Sequence, residues 1–228
     1  MNQDPSGLAI LHLGPLTIGG TVLTTWGVMG LFLLLGLLLR VRRFSVLSEA
    51  VEAAIVAIET AIAEVLPEAA VRPVLPFVAT LWLYVLVANL VGLIPELHAP
   101  TRDLSATAAL AILVFCSTHW FGIRARGLRQ HLRHYIEPSI ILLPFHIISE
   151  LTRTLALAIR LFGNIMSLEM AALLVLLIAG FLVPVPLLML HVVEAVVQAY
   201  IFGMLALIYI AGALEPNTDQ STESTETS

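Results

Sequence analysis

From residue 139 to 183 the chain runs almost wholly apolar, and beyond Pro184 a second apolar stretch covers 185–214. A continuous helix over the first stretch would extend about 66 Å, against a hydrocarbon core about 30 Å thick. An upright helix of that length does not fit. If unbroken, it must lie roughly 60° from the membrane normal, far beyond the usual tilt of about 20°. Pro184 and Pro186 mark its end, and the last stretch then becomes a long antiparallel partner.

Three further runs, 18–39, 74–94 and 104–123, are also long enough to cross a bilayer. Hydrophobic residues make up 59% of the 228-residue chain and charged ones 12%, and the mean hydropathy is +0.97. That leaves too little polar surface to cover a soluble globule. The expected fold is an all-α integral membrane protein with five hydrophobic helical units, the last two forming a strongly tilted antiparallel hairpin. One membrane domain, 18–214, follows a short external N-terminus, 1–17. The first 39 residues hold no Lys or Arg and include Asp4, so a cleaved leader is not expected.

Arginine placement orients the chain. Arg40, Arg42 and Arg43 follow the first run and Arg124, Arg126, Arg129 and Arg133 the third, whereas the turn after the second carries only Arg102. The positive-inside rule puts both clusters in the cytoplasm and the N-terminus outside. Five crossings then leave the acidic, Ser/Thr-rich tail 215–228 inside, where its composition predicts disorder. Between the first two runs, Val51, Ile55, Ile58, Ile62 and Val65 share one helical face, opposite Glu49, Glu52, Glu59 and Glu64. This predicts an amphipathic helix over 46–66 on the cytoplasmic surface. Its acidic face gains nothing from anionic lipid; it is either a helix resting at the interface or a dock for another subunit.

Several classes of function drop out. All eleven basic residues are Arg and the net charge is -5, which disfavours a nucleic-acid partner. Cys116 alone forms neither an internal disulfide nor a multi-thiolate site and reads as a packing residue. No internal repeat supports an inverted-repeat transporter.

The last two units nevertheless carry Glu150, Arg153, Arg160, Asn164, Glu169, His191, Glu194 and Gln198. An Arg at mid-membrane costs about 2.5 to 3.5 kcal/mol on insertion scales, so such groups usually face a partner or water. Arg153, Arg160 and Asn164 lie at i, i+7 and i+11 on one stripe, with Glu150 three residues before Arg153 and able to pair with it. Glu169, nine residues from Arg160, points about 180° away, so one face holds a fixed cation and the other a titratable acid. His191, Glu194 and Gln198 at i, i+3 and i+7 make a second polar stripe, which facing Glu169 would line an aqueous pocket for protons or a small cation. A metal centre built on His191, Glu194 and Glu169 matches no ligand-spacing signature, and neither metal nor cofactor is expected.

The segment Arg160-Leu-Phe-Gly-Asn164 with Glu169, and the later Gln198-Ala-Tyr-Ile-Phe, resemble the a subunit of F-type rotary ATP synthases. Arg153, Leu155 and Leu157 fit that family's approach to the arginine. So do Asn89-Leu-Val-Gly-Leu-Ile-Pro95 and Pro100-Thr-Arg-Asp103-Leu-Ser-Ala-Thr107 in the second span and the loop after it. The likeness covers about 74–213; residues 1–73 agree in layout only. Leu168 stands where the family often has Gly, and Ser105 where it often has Asn.

The resemblance implies that Arg160 is the stator arginine facing a ring of c subunits, with Asn164 one turn along on the same face. Glu169, His191, Glu194 and Gln198 would line one half-channel, the outer one, with Asn89 and Asp103 near its mouth; Asp103 is equally suited to cap the third span. Glu150 and Arg153 are secondary candidates, and His119, His146, His131 and His134 weaker ones. The expected partners are the c ring, peripheral-stalk b subunits and lipid, in a plasma (inner) membrane. ATP chemistry would lie on other chains and the coupling ion would be H⁺ or Na⁺. A stand-alone cation/proton antiporter is the alternative, since it too needs intramembrane Arg, Glu and His, and a structural subunit of another membrane complex is a third.

Overall fold

The computed structural model describes residues 11–13, 16–18, 20–40, 45–94, 99–128, 143–179 and 184–214. Two three-residue strands, β1 (Leu11–Leu13) and β2 (Leu16–Ile18), pair antiparallel ahead of the first helix. Everything else that is regular among the described residues is helical. The helices are α1 (Gly20–Arg40), α2 (Ser45–Ala63), α3 (Glu68–Val91), α4 (Leu104–Arg126), α5 (Leu143–Ala179) and α6 (Pro184–Leu214), with a 3₁₀ turn at Pro100–Arg102. Five of them, all but α2, are long and apolar enough to cross a membrane. The outer ends of the fourth expected run, 139–142 and 180–183, the tail 215–228, and His131 and His134 lie outside the described residues.

The helices start and stop for local reasons. Asp103 caps α4, its Oδ1 accepting from the Ser105 amide at 2.9 Å. At the other end Arg124 and Arg126 lie in the last turn, where cations suit the helix dipole. Gly127 then leaves the helix with φ +81°, a conformation that side-chain-bearing residues avoid. Pro184 opens α6 at a position where its missing N–H costs nothing. Helix α3 begins at Glu68, six residues before the expected span, and runs through Pro73 and Pro76. The apolar run reports only the lipid-compatible part of the helix, and the added turns carry Glu68 and Arg72.

Within lipid, helices associate through close packing rather than through water exclusion, which favours small residues at contacts. On α6 the buried positions Ala199, Phe202, Ala206, Leu207, Ile210 and Ala211 recur at helical spacing and meet Val74, Val78, Leu81, Trp82 and Val85 of α3 in one core. Gly203 lies against the Trp82 ring: a Cβ there would stand 2.7 Å from Trp82 Cδ2. The ring of Trp82 also stacks at a tilt on Tyr200, centroids 5.4 Å apart. Helices α4 and α5 complete this core through Ala111, Val114, Leu157, Ala158 and Leu161. The amphipathic helix docks by its C-terminal half, where Ile58 and Ile62 are buried, with Leu66 buried just past its end; Glu49, Glu52 and Glu59 on the helix and Glu64 after it are exposed.

Cross-contacts fix the register of the α5/α6 pair. Asn164 meets Gln198 and Arg153 meets Tyr209, so the same eleven-residue step separates the contacts on both helices, in opposite chain directions. The pair is antiparallel, as expected. At 37 residues α5 is about 55 Å long, still far longer than the hydrocarbon core.

Candidate functional site: a polar seam along the α5/α6 hairpin

The 3₁₀ turn Pro100–Arg102 is the hub of one end of the seam. Thr101 is fully buried and its hydroxyl donates to Asn89 Oδ1 at 2.8 Å. The backbone carbonyl of Asn89 faces His191 Nε2 at 3.3 Å, so that nitrogen is the protonated one when the bond is made. This links α3, the turn and α6. Asn89 and His191, read from sequence as neighbours in one pathway, are therefore in contact.

The next residue of the turn reaches α5. Arg102 Nη1 lies 2.6 Å from Glu169 Oε1, a charge-assisted hydrogen bond between two side chains about three-quarters buried. Sequence reasoning did not select Arg102. Asp103 points elsewhere: its Oδ1 also accepts from the Ser105 hydroxyl at 2.8 Å. Burial alone would raise this carboxyl, but bonds from the Ser105 amide and hydroxyl and the Thr21 hydroxyl hold it below the usual carboxylate range. The capping reading of Asp103 is thus realised, and the serine that departs from the family's usual Asn completes that cap.

Farther along the hairpin Asn164 Nδ2 donates to Gln198 Oε1 at 2.6 Å. Gln198 is 1% exposed and Asn89 fully buried, and the remaining amide nitrogens, Gln198 Nε2 and Asn89 Nδ2, are buried without a protein partner. Two such donors mark places for water, since an unmet buried donor costs about 1–3 kcal/mol. Glu194 stands one turn from His191 and is half-buried.

Arg160 lies one turn from Asn164 on an outward face. It is exposed, beside exposed Leu155 and Ile159 on α5. Among the described residues no carboxylate pairs with it. Ala156, Gly163 and Ser167, its neighbours on that face, are small and leave the guanidinium open to approach.

A second polar group lies at the other end of α5. Arg153 Cζ sits 4.6 Å from the Tyr209 ring centroid. Glu150, expected beside Arg153, has its Oε1 4.0 Å from His119 Nε2. The other ring nitrogen of His119, Nδ1, faces the Phe115 carbonyl at 2.9 Å and donates to it when protonated. Glu150, Arg153, Thr118, Thr154 and Tyr209 line a small cleft with room for about one water.

The family model described as ATP synthase A chain matches residues 22–211. The chain is 62% identical over 211 residues to ATP synthase subunit a 2 of Pelobacter propionicus, covering 91% of this chain and 92% of that one. It is 57% identical over 223 residues to ATP synthase subunit a 1 of Hahella chejuensis, covering 96% and 94%. Against ATP synthase subunit a of Legionella pneumophila the identity is 56% over 210 residues, covering 89% and 90%. With its helical hairpin, its polar seam and these relatives, the chain belongs to the ATP synthase A chain family.

Proposed function

We propose that this multi-pass membrane subunit supplies the ion path of a rotary ATP synthase, with Arg160 as the fixed charge that separates its two halves. Family membership makes it a non-catalytic subunit of the membrane sector, working with the rest of the complex; the stand-alone antiporter gives way to that. The observation that carries the finer reading is Arg160 itself: an exposed guanidinium on an apolar helix face, with no carboxylate partner among the described residues. In lipid such a charge needs a counterion, and a partner helix bearing a carboxylate supplies it.

The chemistry follows. A carboxylate on a moving ring must be neutral in lipid and must give up its ion where it meets the stator. Arg stays protonated at any working pH, and a cation within about 4 to 6 Å lowers a carboxylate's pKa, commonly by 1 to 3 units. Arg160 therefore promotes release of the ion and blocks its direct passage. Each ion crossing supplies about 2.3 kcal/mol per 100 mV.

The seam from Glu169 to Arg160 covers nine residues of α5, about 13.5 Å along its axis. On so strongly tilted a helix this length runs obliquely through one half of the core. Glu169, His191, Glu194, Gln198 and Asn164 line this half, with Asn89 and Asp103 at its mouth. Glu150 and Arg153 lie toward the other end. The ring of c subunits covers the Arg160 face, and the exposed acids of α2 and the Arg124 end of α4 face the stalk b subunits. The N-terminus is outside a plasma (inner) membrane and the C-terminus in the cytoplasm. The coupling ion is H⁺ or Na⁺.

ATP-driven acidification of vesicles carrying the whole complex tests this. Arg160→Ala should abolish pumping with the complex still assembled, and Na⁺-free against Na⁺-containing buffer identifies the ion. Wild-type pumping by the variant would leave a purely structural subunit.

A further inference from the structure

We infer that Arg102 is a tethered counterion for Glu169, holding the place of the transported cation at the mouth of the seam until an ion displaces it. This deepens the stator reading and rests on it.

Glu169 has to be balanced when no ion is present. A carboxylate three-quarters buried in an apolar helix is costly to leave charged and unpaired. Arg102 meets that need at 2.6 Å, from a turn rather than from a neighbouring position on the helix. The turn holds the guanidinium's origin in place on both sides. Thr101 is tied to Asn89, and Asp103 to Ser105. The Arg side chain is the adjustable part, with several rotatable bonds, and remains partly exposed beside its partner.

A guanidinium at the entrance of a cation path is also an electrostatic barrier. The two effects combine as a competition. An arriving H⁺ or Na⁺ takes a carboxylate oxygen only as Arg102 lets go, and Arg102 returns when the ion has moved on toward His191 and Gln198. Glu169 is balanced at both stages, by Arg102 or by the ion, and the released guanidinium turns to the exposed side of the turn. Exchange lowers the apparent affinity of the entrance for its ion and speeds release from it, because the leaving ion is replaced rather than merely lost.

The test is ATP synthesis by the complete reconstituted complex, with the ion concentration varied on the Glu169 side, as pH in one series and as Na⁺ in another. Arg102→Gln should lower the half-saturating concentration of the coupling ion by about three- to tenfold, and Arg102→Lys, which keeps the charge, should lie nearer wild type. Glu169→Gln alone and combined with Arg102→Gln should give the same half-saturation, since Arg102 then has nothing to compete for. An unchanged or raised half-saturation in Arg102→Gln, with the complex assembled, overturns the inference. If a parallel Arg160→Ala sample is inactive in that case, the stator reading survives; if it is active, both fail.

Discussion

Asn164 on α5 donates to Gln198 on α6 at 2.6 Å, and this bond is the point where the two polar stripes of the hairpin meet. It lies one helical turn from Arg160, so the position of the exposed cation is tied to the buried seam through a single pair of amides.

That pair should show coupling. Gln198→Leu removes the acceptor and strands the Asn164 amide, at a cost of about 0.6 to 1.7 kcal/mol for an interhelical hydrogen bond in lipid. Asn164→Leu together with Gln198→Leu should cost less than the two single changes added, as read from thermal unfolding of the purified complex. Strict additivity would mean that the bond contributes nothing.

Gly203 gives a second expectation. An added methyl would meet the Trp82 ring 2.7 Å away, so Gly203→Ala must push α3 and α6 apart or turn the ring. Overpacking of this kind costs about 1–3 kcal/mol. Lower melting temperature and poorer assembly should follow, and Trp82→Leu in the same chain should relieve the clash. Gly212→Ala, with open space around it, is the matched control and should be close to neutral.

The cap at Asp103 predicts a pH dependence. Its carboxyl is held below the ordinary range in the folded protein, so the folded state favours the ionised form. The stabilisation is therefore fully present above the unfolded-state pKa of about 3.9, and is lost as pH falls through the lower folded value. Asp103→Ala should cost about 0.5–2 kcal/mol at neutral pH. The gap between variant and wild type, measured as melting temperature from pH 7 downward, should narrow in the acid range. A gap that widens there would contradict the cap.

The spans were legible because apolar length is a one-dimensional property: runs 18–39, 74–94 and 104–123 became α1, α3 and α4 with ends moved by a few residues. The stripe from Arg153 to Asn164 was legible for the same reason, since helical spacing is fixed within one element. Contacts between elements were not. Arg102 and Glu169 are 67 residues apart, and no periodicity connects a turn residue to a distant helix. The only sign was that Arg102 stood alone in a turn otherwise free of cations. Glu150 shows the converse: its spacing suggested Arg153, whereas His119 of α4 comes within 4.0 Å of it and Arg153 turns to the face of Tyr209. Asp103 left both readings open, because one carboxylate can cap a helix and still stand at a mouth.

The matching eleven-residue step between the Asn164–Gln198 and Arg153–Tyr209 contacts has a mechanical side. Two cross-ties about 16 Å apart turn a pair of rods into a braced beam, stiff against sliding and shear. In the stator role proposed above, a ring moving past Arg160 would push sideways on α5 once for every carboxylate that goes by. Because α5 is braced to α6, and α6 is seated on α3 at Gly203 and Trp82, that push is spread over three helices instead of bending one. In that role the hairpin would take recoil.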